Sequence, residues 1–487
     1  DKIAAFTAGG NFDELVAKSS KRGVGGPRAP QRVVKALRDA LDLPIGAALK
    51  NERAAFMDLV DSEESKSLRH IFFAEREANK PKNMSASAKP GEIGRAAVIG
   101  AGTMGGGIAM SFVNAGIPVT LIEQSGEALQ RGLDTILKNY NVSASRGAIS
   151  ADDVSKRMAL IDGKTDLASV ADADLIIEAV FEDMALKQEI FAKLDKLAKP
   201  GAILATNTSY LDVDVIARST ARPEAVLGLH FFSPANVMKL LETVRGTKTS
   251  PDVLATSLSV GRKIGKVPVV VGVGPGFVGN RMLRLRGVEA ERVLLEGALP
   301  YELDAAMVQF GFAMGPLAVG DMGGLDIGFR SRKATGLKAP IADQICELGR
   351  FGQKTGRGYY IYEKGSRTPK RDDEVEQMIV ATSKRMGVTR RPFTPQEIVE
   401  RLVFPMVNEG ARILEEGIAD RAGDIDVIWI HGYGFPTWRG GPMFYASTVG
   451  LDHVAKRLTE FSKQTGDERH MPAPLLQKLA SEGKGFS

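Results

Sequence analysis

Residues 95–110 read R-A-A-V-I-G-A-G-T-M-G-G-G-I-A-M: a short apolar run, a glycine-punctuated turn, and the start of a small-residue helix. Gly100, Gly102 and Gly105 fall in the spacing G-x-G-x-x-G. In a strand–turn–helix setting the first glycine permits a tight turn and the second lets a pyrophosphate approach the backbone. The third lets helix and strand pack closely, and the phosphates sit at the positive helix N-terminus. In a chain with 53 glycines, an ordinary turn can produce the same match. Its context is more specific. A second apolar run, Val119–Ile122, ends at Glu123, 23 residues after Gly100. A carboxylate there accepts both ribose hydroxyls and repels a 2′-phosphate, which predicts NAD in preference to NADP.

Strand and helix signals alternate outward from this turn. Ile108–Ala115 reads as a helix, and apolar runs at Leu175–Ala179, Ile203–Thr206 and Val226–Phe231 read as strands. This pattern predicts an α/β fold with a Rossmann-type, doubly wound parallel sheet over residues 91–275, closing near Val271 at G-V-G-P-G (272–276). Beyond it the chain is mostly helical and repeats itself. E-A-E-R-V-L-L-E-G-A (289–298) aligns with E-G-A-R-I-L-E-E-G-I (409–418), with five of ten positions identical. Phe310-Gly-Phe312 then matches Tyr433-Gly-Phe435, Gly315-Pro316 matches Gly441-Pro442, and Gly324-Leu-Asp326 matches Gly450-Leu-Asp452. Four blocks in one order predict two duplicated, mostly helical C-terminal domains, residues 276–385 and 386–487.

At the other end, residues 1–80 read as charged and helical. Pro30 with Val33, Val34, Leu37 and Leu41 marks one amphipathic helix. Leu49–Glu77 marks a second, carrying Phe56, Leu59, Leu68, Phe72 and Phe73. N-K-P-K-N-M-S-A-S-A-K-P (79–90) is a linker by composition, which completes a unit of residues 1–90.

A chain of 487 residues exceeds one core and suggests about three domains. No apolar run is long enough to span a bilayer, so no membrane partner is expected. The net charge of +5 comes from basic and acidic residues interspersed throughout, with no basic stripe interleaved with aromatics. That argues against a nucleic-acid partner and suits a polyanionic small substrate steered to a basic mouth. The single cysteine, Cys346, excludes a disulfide framework and a multi-cysteine metal site. No metal is expected, Cys346 reads as a small buried residue, and a reducing cytoplasm fits.

Five histidines are present: His70, His230, His431, His453 and His470. His230 stands apart because it ends an apolar strand at the edge of the nucleotide domain, where α/β sheets bind ligands. After Ser233-Pro-Ala-Asn236 a second apolar run, Val237–Val244, contains Glu242. A hairpin about residues 234–236 would place Glu242 diagonal to His230, within side-chain reach. A carboxylate beside an imidazole fixes its tautomer and favours the protonated form once a proton arrives. Oxidation of an alcohol by NAD needs such a base, because the hydroxyl proton leaves as hydride transfers. Asn207-Thr-Ser209 follows a strand and faces the same crevice, or caps the helix after Leu211. Asn280, at the start of the helical region, is either a cap or an amide that orients a substrate oxygen across the domain interface.

Together, G-A-G-T-M-G-G-G-I-A, E-A-V-F-E-D, N-T-S, H-F-F-S-P, M-K-L-L-E and P-G-F-V-G-N-R resemble the (S)-3-hydroxyacyl-CoA dehydrogenase family from Arg95 to the end. The helical duplication resembles the dehydrogenase half of multifunctional fatty-acid β-oxidation enzymes. The resemblance implies NAD-dependent oxidation of (S)-3-hydroxyacyl-CoA to 3-oxoacyl-CoA, with His230 as base and Glu242 as its partner. It places Ser209 and Asn280 around the substrate's 3-hydroxyl and thioester. Met104, Glu123, Val180, Glu182, Lys187 and Asn207 would contact NAD, with Ser209 near the nicotinamide. Ser233 stands where many members have asparagine, in the same part of the site.

A-P-Q-R-V-V-K-A-L (29–37), L-K-N-E-R-A-A-F-M-D-L (49–59) and L-R-H-I-F-F-A-E-R (68–76) resemble the end of the crotonase-type hydratase domain in those fusions. The hydratase's acidic pair and oxyanion amides would lie upstream of Asp1, so no hydratase activity is expected. The second helical copy has Arg401-Leu-Val-Phe-Pro405 in place of Gly-Asn-Arg and reads as structural, taking the role that a second chain plays in single-function relatives. A monomer in a bacterial cytoplasm is therefore expected, the chain ending without a peroxisomal tripeptide. Two alternatives remain at this point: a dehydrogenase of a free hydroxy or sugar acid, and a structural protein of the λ-crystallin kind. Both His230 and Glu242 being present argues against the second.

Overall fold

The computed structural model describes residues 27–486 except Asn83 and Ala86. The part of the expected N-terminal helical unit before Pro27 therefore lies outside the described residues. Eight strands form one sheet: β1 Ala96–Ile99, β2 Val119–Ile122, β3 Ile161–Lys164, β4 Leu175–Glu178, β5 Ile203–Thr206, β6 Val226–Phe231, β7 Leu240–Arg245 and β8 Val267–Gly272. Their order is β3-β2-β1-β4-β5-β6-β7-β8. β1 to β6 run parallel, β7 is antiparallel to β6, and β8 is parallel to β7. β1, β2, β4 and β5 are buried along their whole length, which is why their sequences read as unbroken apolar runs. β3 escapes such a reading because I-D-G-K has one apolar residue and lies on the sheet edge. The helix after the glycine turn starts at Thr103, not Ile108, and ends at Asn114. Its first turn is hidden in the sequence by Gly105, Gly106 and Gly107, all buried.

The helical region is organised around two long helices, Gly279–Glu296 and Pro395–Glu415. Arg281 of the first donates to Glu409 (2.5 Å) and, through both terminal nitrogens, to Glu416. Arg401 of the second donates to Glu289 (2.9 Å) and bidentately to Glu296 (2.7 and 3.1 Å). The repeat that aligns Glu289 with Glu409 and Glu296 with Glu416 also aligns Arg281 with Arg401. The ion pairs are thus reciprocal, as at an isologous two-fold interface, but within one chain. This corrects the sequence reading that Gly-Asn-Arg has no counterpart: its arginine survives as Arg401, while Gly279 and Asn280 become Val399 and Glu400.

Among the described residues, the N-terminal segment forms three helices, Arg28–Asp42, Ile45–Val60 and Glu63–Ala78. The stretch expected to be one helix breaks at Ser62, whose hydroxyl accepts from the Ser65 N–H and starts a new helix. That last helix docks on the Ala422–Tyr433 helix through His70–Asp426 (2.8 Å) and His431–Glu75 (2.7 Å).

Asp424, on the same helix, is 3% exposed and its Oδ1 has no hydrogen-bond partner. Burial raises its pKa to about 7, against the attraction of Arg421 at 3.7 Å. The folded chain therefore holds a proton that an unfolded aspartate releases near pH ~4, and stability falls as pH rises between those values. Asp424→Asn is expected to be more stable by about 1–2 kcal/mol at about pH 8 and equal to the parent below about pH 4. Thermal melts at both pH values check this, and a lower melting point for the variant at the higher pH would refute it.

Candidate active site

The strand order reverses between β1 and β4, opening a crevice at the carboxyl ends of the strands. On one side of it lies the glycine turn. Gly100 has φ +100°, and a Cβ there would stand 2.8 Å from the Ala179 carbonyl oxygen. A Cβ on Gly105 would stand 1.8 Å from the Gly100 carbonyl oxygen, so only glycine lets this helix close on this strand. Gly102 is the opposite case: nothing lies within 4 Å of a Cβ built there. The approach that a pyrophosphate needs is open, and no side chain caps the helix behind it. Met104 is half-buried against the apolar layer beneath. The Glu123 carboxylate sits over the turn, accepting from the Ala101 N–H (2.9 Å) and the Gln124 N–H (2.8 Å). Open backbone donors and a carboxylate one strand away are a donor set that fits NAD.

Across the reversal, the Val180 N–H donates to Glu178 (2.8 Å). The exposed Glu182 carboxylate accepts from the Thr208 hydroxyl (2.6 Å) and the Ser209 and Tyr210 N–H groups (2.7 and 3.1 Å), fastening the Asn207–Ser209 loop to the turn after β4. Asn207 Oδ1 accepts from the Phe231 N–H (2.8 Å), tying that loop to the strand end beside His230. Ser209 is half-buried at the mouth and Ser233 is exposed. Lys187 lies beneath the same turn. It is 1% exposed and its Nζ is 2.6 Å from the buried Glu178 and 3.5 Å from Glu182. It thereby ties Glu178, at the end of β4, to Glu182 on the turn that follows.

His230 and Glu242 lie directly opposite each other in the β6–β7 ladder, not diagonally. The hairpin is centred on Asn236, one residue later than a turn about 234–236 would be, which moves the partner of His230 by two residues, from Leu240 to Glu242. Nδ1 of His230 is 2.7 Å from Glu242 Oε2, with His230 4% and Glu242 0% exposed. The other carboxylate oxygen, Oε1, accepts from the Gly279 N–H (3.0 Å) at the start of the Gly279–Glu296 helix. Both oxygens of Glu242 are thus engaged, one by the imidazole and one by the backbone at a helix N-terminus. Nε2 of His230 has no protein partner among the described residues. Phe232 (ring centroids 4.4 Å) and Phe277 (5.7 Å) flank the ring, and Phe277 takes φ +49°, a strained conformation for a non-glycine residue.

Asn280 follows Gly279, so the dyad and this amide are joined through one backbone turn. Its Oδ1 accepts from the Tyr433 hydroxyl (2.9 Å), and Tyr433 belongs to the second helical repeat. Sequence reasoning singled out Tyr433 only as part of a repeated block. Burial holds its phenol well above the usual range, so it remains a donor. No group of histidine, cysteine or acidic residues able to hold a metal occurs among the described residues, and no helix there is long and apolar enough to cross a membrane.

A nucleotide crevice facing a buried His–Glu pair defines a dehydrogenase that oxidises an alcohol with NAD. Comparison with known proteins sharpens this. The model of the 3-hydroxyacyl-CoA dehydrogenase NAD binding domain matches residues 95–273, and that of the 3-hydroxyacyl-CoA dehydrogenase C-terminal domain matches twice, at 276–362 and 398–485. The peroxisomal bifunctional enzyme of Danio rerio is 44% identical over 97% of this chain and 68% of its own length. The dehydrogenase part of multifunctional enzyme 1 from C. elegans is 33% identical, with TM-score 0.65 over 84% of this chain and 96% of that one. The 3-hydroxybutyryl-CoA dehydrogenase of Escherichia coli K12 is 27% identical, with TM-score 0.69 over 80% of this chain and 99% of that one. The chain belongs to the 3-hydroxyacyl-CoA dehydrogenase family and is an NAD-dependent enzyme of that class.

Proposed function

We propose that this chain oxidises (S)-3-hydroxyacyl-CoA to 3-oxoacyl-CoA through the His230–Glu242 dyad, in fatty-acid β-oxidation. The observation that carries the reading is the 2.7 Å pair between His230 Nδ1 and a fully buried Glu242, beside the glycine turn's crevice. With Nδ1 committed to Glu242, Nε2 is left with the lone pair that takes the substrate's hydroxyl proton. Glu242 stabilises the imidazolium that results. When bound, NAD accepts the hydride from C3 of the substrate. Ser209 and Asn280 hold the 3-oxygen and the thioester carbonyl, orienting C3 toward the nicotinamide. Gly100, Gly102, Met104, Gly105, Glu123, Val180, Glu182, Lys187, Asn207, Ser209 and Ser233 line the cofactor's path, Lys187 Nζ lying 3.5 Å from Glu182. Nicotinamide reduction with an (S)-3-hydroxyacyl-CoA, its (R) isomer and the free (S) acid tests the assignment: turnover of the (S) thioester alone is expected, and equal turnover of the free acid would refute the substrate class.

Removing the ribose carboxylate gives a separate test. Glu123→Ala is expected to raise the Kd for NAD by about 10–100-fold, the worth of charge-assisted hydrogen bonds, and to narrow the preference over NADP. Fluorescence titration with both cofactors checks this, an unchanged Kd being the contrary result.

The domain limits 91–275, 276–385 and 386–487 are retained in this reading, with the helices between Arg28 and Ala78 preceding them and the last of these docked on the second repeat. Because the reciprocal arginine pairs already join two repeats within one chain, we propose that the protein is a monomer. Light scattering tests this, and a stable dimer would contradict it. One buried free thiol fits a reducing compartment such as a bacterial cytoplasm.

A further inference from the structure

Asn280 is an amide whose two ends have opposite hydrogen-bonding character, and the reaction needs only one of them. The substrate's 3-oxygen and thioester carbonyl are both acceptors once the hydroxyl proton has left, so the amide must present its N–H groups. An unsupported side-chain amide can flip. Here its oxygen is already occupied by the Tyr433 hydroxyl at 2.9 Å, and Nδ2 has no protein acceptor among the described residues.

The seat of Tyr433 is built for this contact. Its ring stacks on Trp429 (4.7 Å) and meets the edge of Phe232 (5.5 Å), which itself lies 4.4 Å from the His230 ring. A Cβ at position 279 would lie 2.5 Å from the Tyr433 hydroxyl oxygen, so Gly279 both admits the phenol and donates its N–H to Glu242. Packing alone does not call for a hydroxyl: in the repeated block, Phe310-Gly-Phe312 of the first copy matches Tyr433-Gly-Phe435 of the second. The same place is filled by phenylalanine where no Asn280 faces it. The hydroxyl occurs only in the copy that touches the site.

We infer that Tyr433 is a positioning residue for the dehydrogenase reaction, supplied by the second helical repeat, and that it holds the Asn280 amide with its N–H groups toward the substrate. This rests on the reading that Asn280 contacts the substrate. The second repeat, expected from sequence to be structural only, thereby reaches the active site.

Tyr433→Phe, Asn280→Ala and the double variant, assayed with an (S)-3-hydroxyacyl-CoA and NAD, test it. Tyr433→Phe is expected to lower kcat about 5–20-fold while the KM for NAD and the melting temperature stay at parental values. In the Asn280→Ala background the same change is expected to alter kcat by less than about twofold, because the tyrosine acts through the asparagine. An unaltered kcat in Tyr433→Phe beside an impaired Asn280→Ala overturns the Tyr433 assignment alone. An equal loss in both backgrounds also overturns it. Full activity in Asn280→Ala overturns the substrate contact and this inference with it.

Discussion

Replacing His230 with alanine is expected to lower kcat by about 10²–10⁴-fold, the usual contribution of a positioned general base. The loss should fall on kcat and not on cofactor affinity. The cofactor half hangs on the turns after β1, β2 and β4, whereas His230 is held by the β6–β7 ladder and Glu242. Alanine also strands Glu242 Oε2 in a site where that residue is 0% exposed, leaving only the Gly279 N–H on Oε1. Some loss of stability therefore accompanies it. His230→Gln separates the two effects, since its amide can donate to Glu242 but cannot serve as a base near neutral pH. The glutamine variant should match alanine in kcat and the parent in melting temperature. A fall in kcat of less than about tenfold in both would remove His230 from the mechanism.

The largest effect on stability is expected at Arg401. Its side chain is 0% exposed and satisfies Glu289, which is 2% exposed, and Glu296. Cutting one partner from a buried pair leaves an uncompensated charge, and Arg401→Met is expected to cost about 3–5 kcal/mol. Glu289 keeps His470 and Arg292, each at 2.9 Å, which places the loss toward the lower end of that range. Arg401→Lys keeps the charge but loses the bidentate fork on Glu296, and an intermediate loss is expected. Denaturant midpoints of the three proteins check the order, and a methionine variant as stable as the parent would contradict it. Because Arg401 braces the helix that begins at Gly279 and Asn280, activity should fall before the chain unfolds.

What could be read from the sequence follows from how local the information is. The strands beside the glycine turn are buried on both faces and declare themselves as apolar runs, whereas β3 is an edge strand with one apolar residue and does not. The dyad was legible because His230 and Glu242 are twelve residues apart on adjoining strands, yet its register was not, since that depends on the turn's geometry. Lys187 enters the sequence analysis only through the family resemblance, and its 2.6 Å pair with the buried Glu178 is a matter of packing that the spacing does not announce. Tyr433 lies 153 residues from Asn280, and Arg281 lies 128 from Glu409, distances at which no spacing rule operates. The repeat itself held that information. Aligning the two copies through Arg281 and Arg401 predicts the reciprocal pairs, once the helices are known to face each other.

General-base action by His230 is tested most directly by single-turnover nicotinamide reduction in the His230→Ala protein, with NAD and an (S)-3-hydroxyacyl-CoA saturating, with and without free imidazole. The space vacated beside Glu242, between Phe232 and Phe277, is bounded by the groups that hold the native ring. The account predicts hydride transfer slowed by about 10²–10⁴-fold and partly restored by imidazole. Transfer at close to the parental rate with no imidazole present would contradict it.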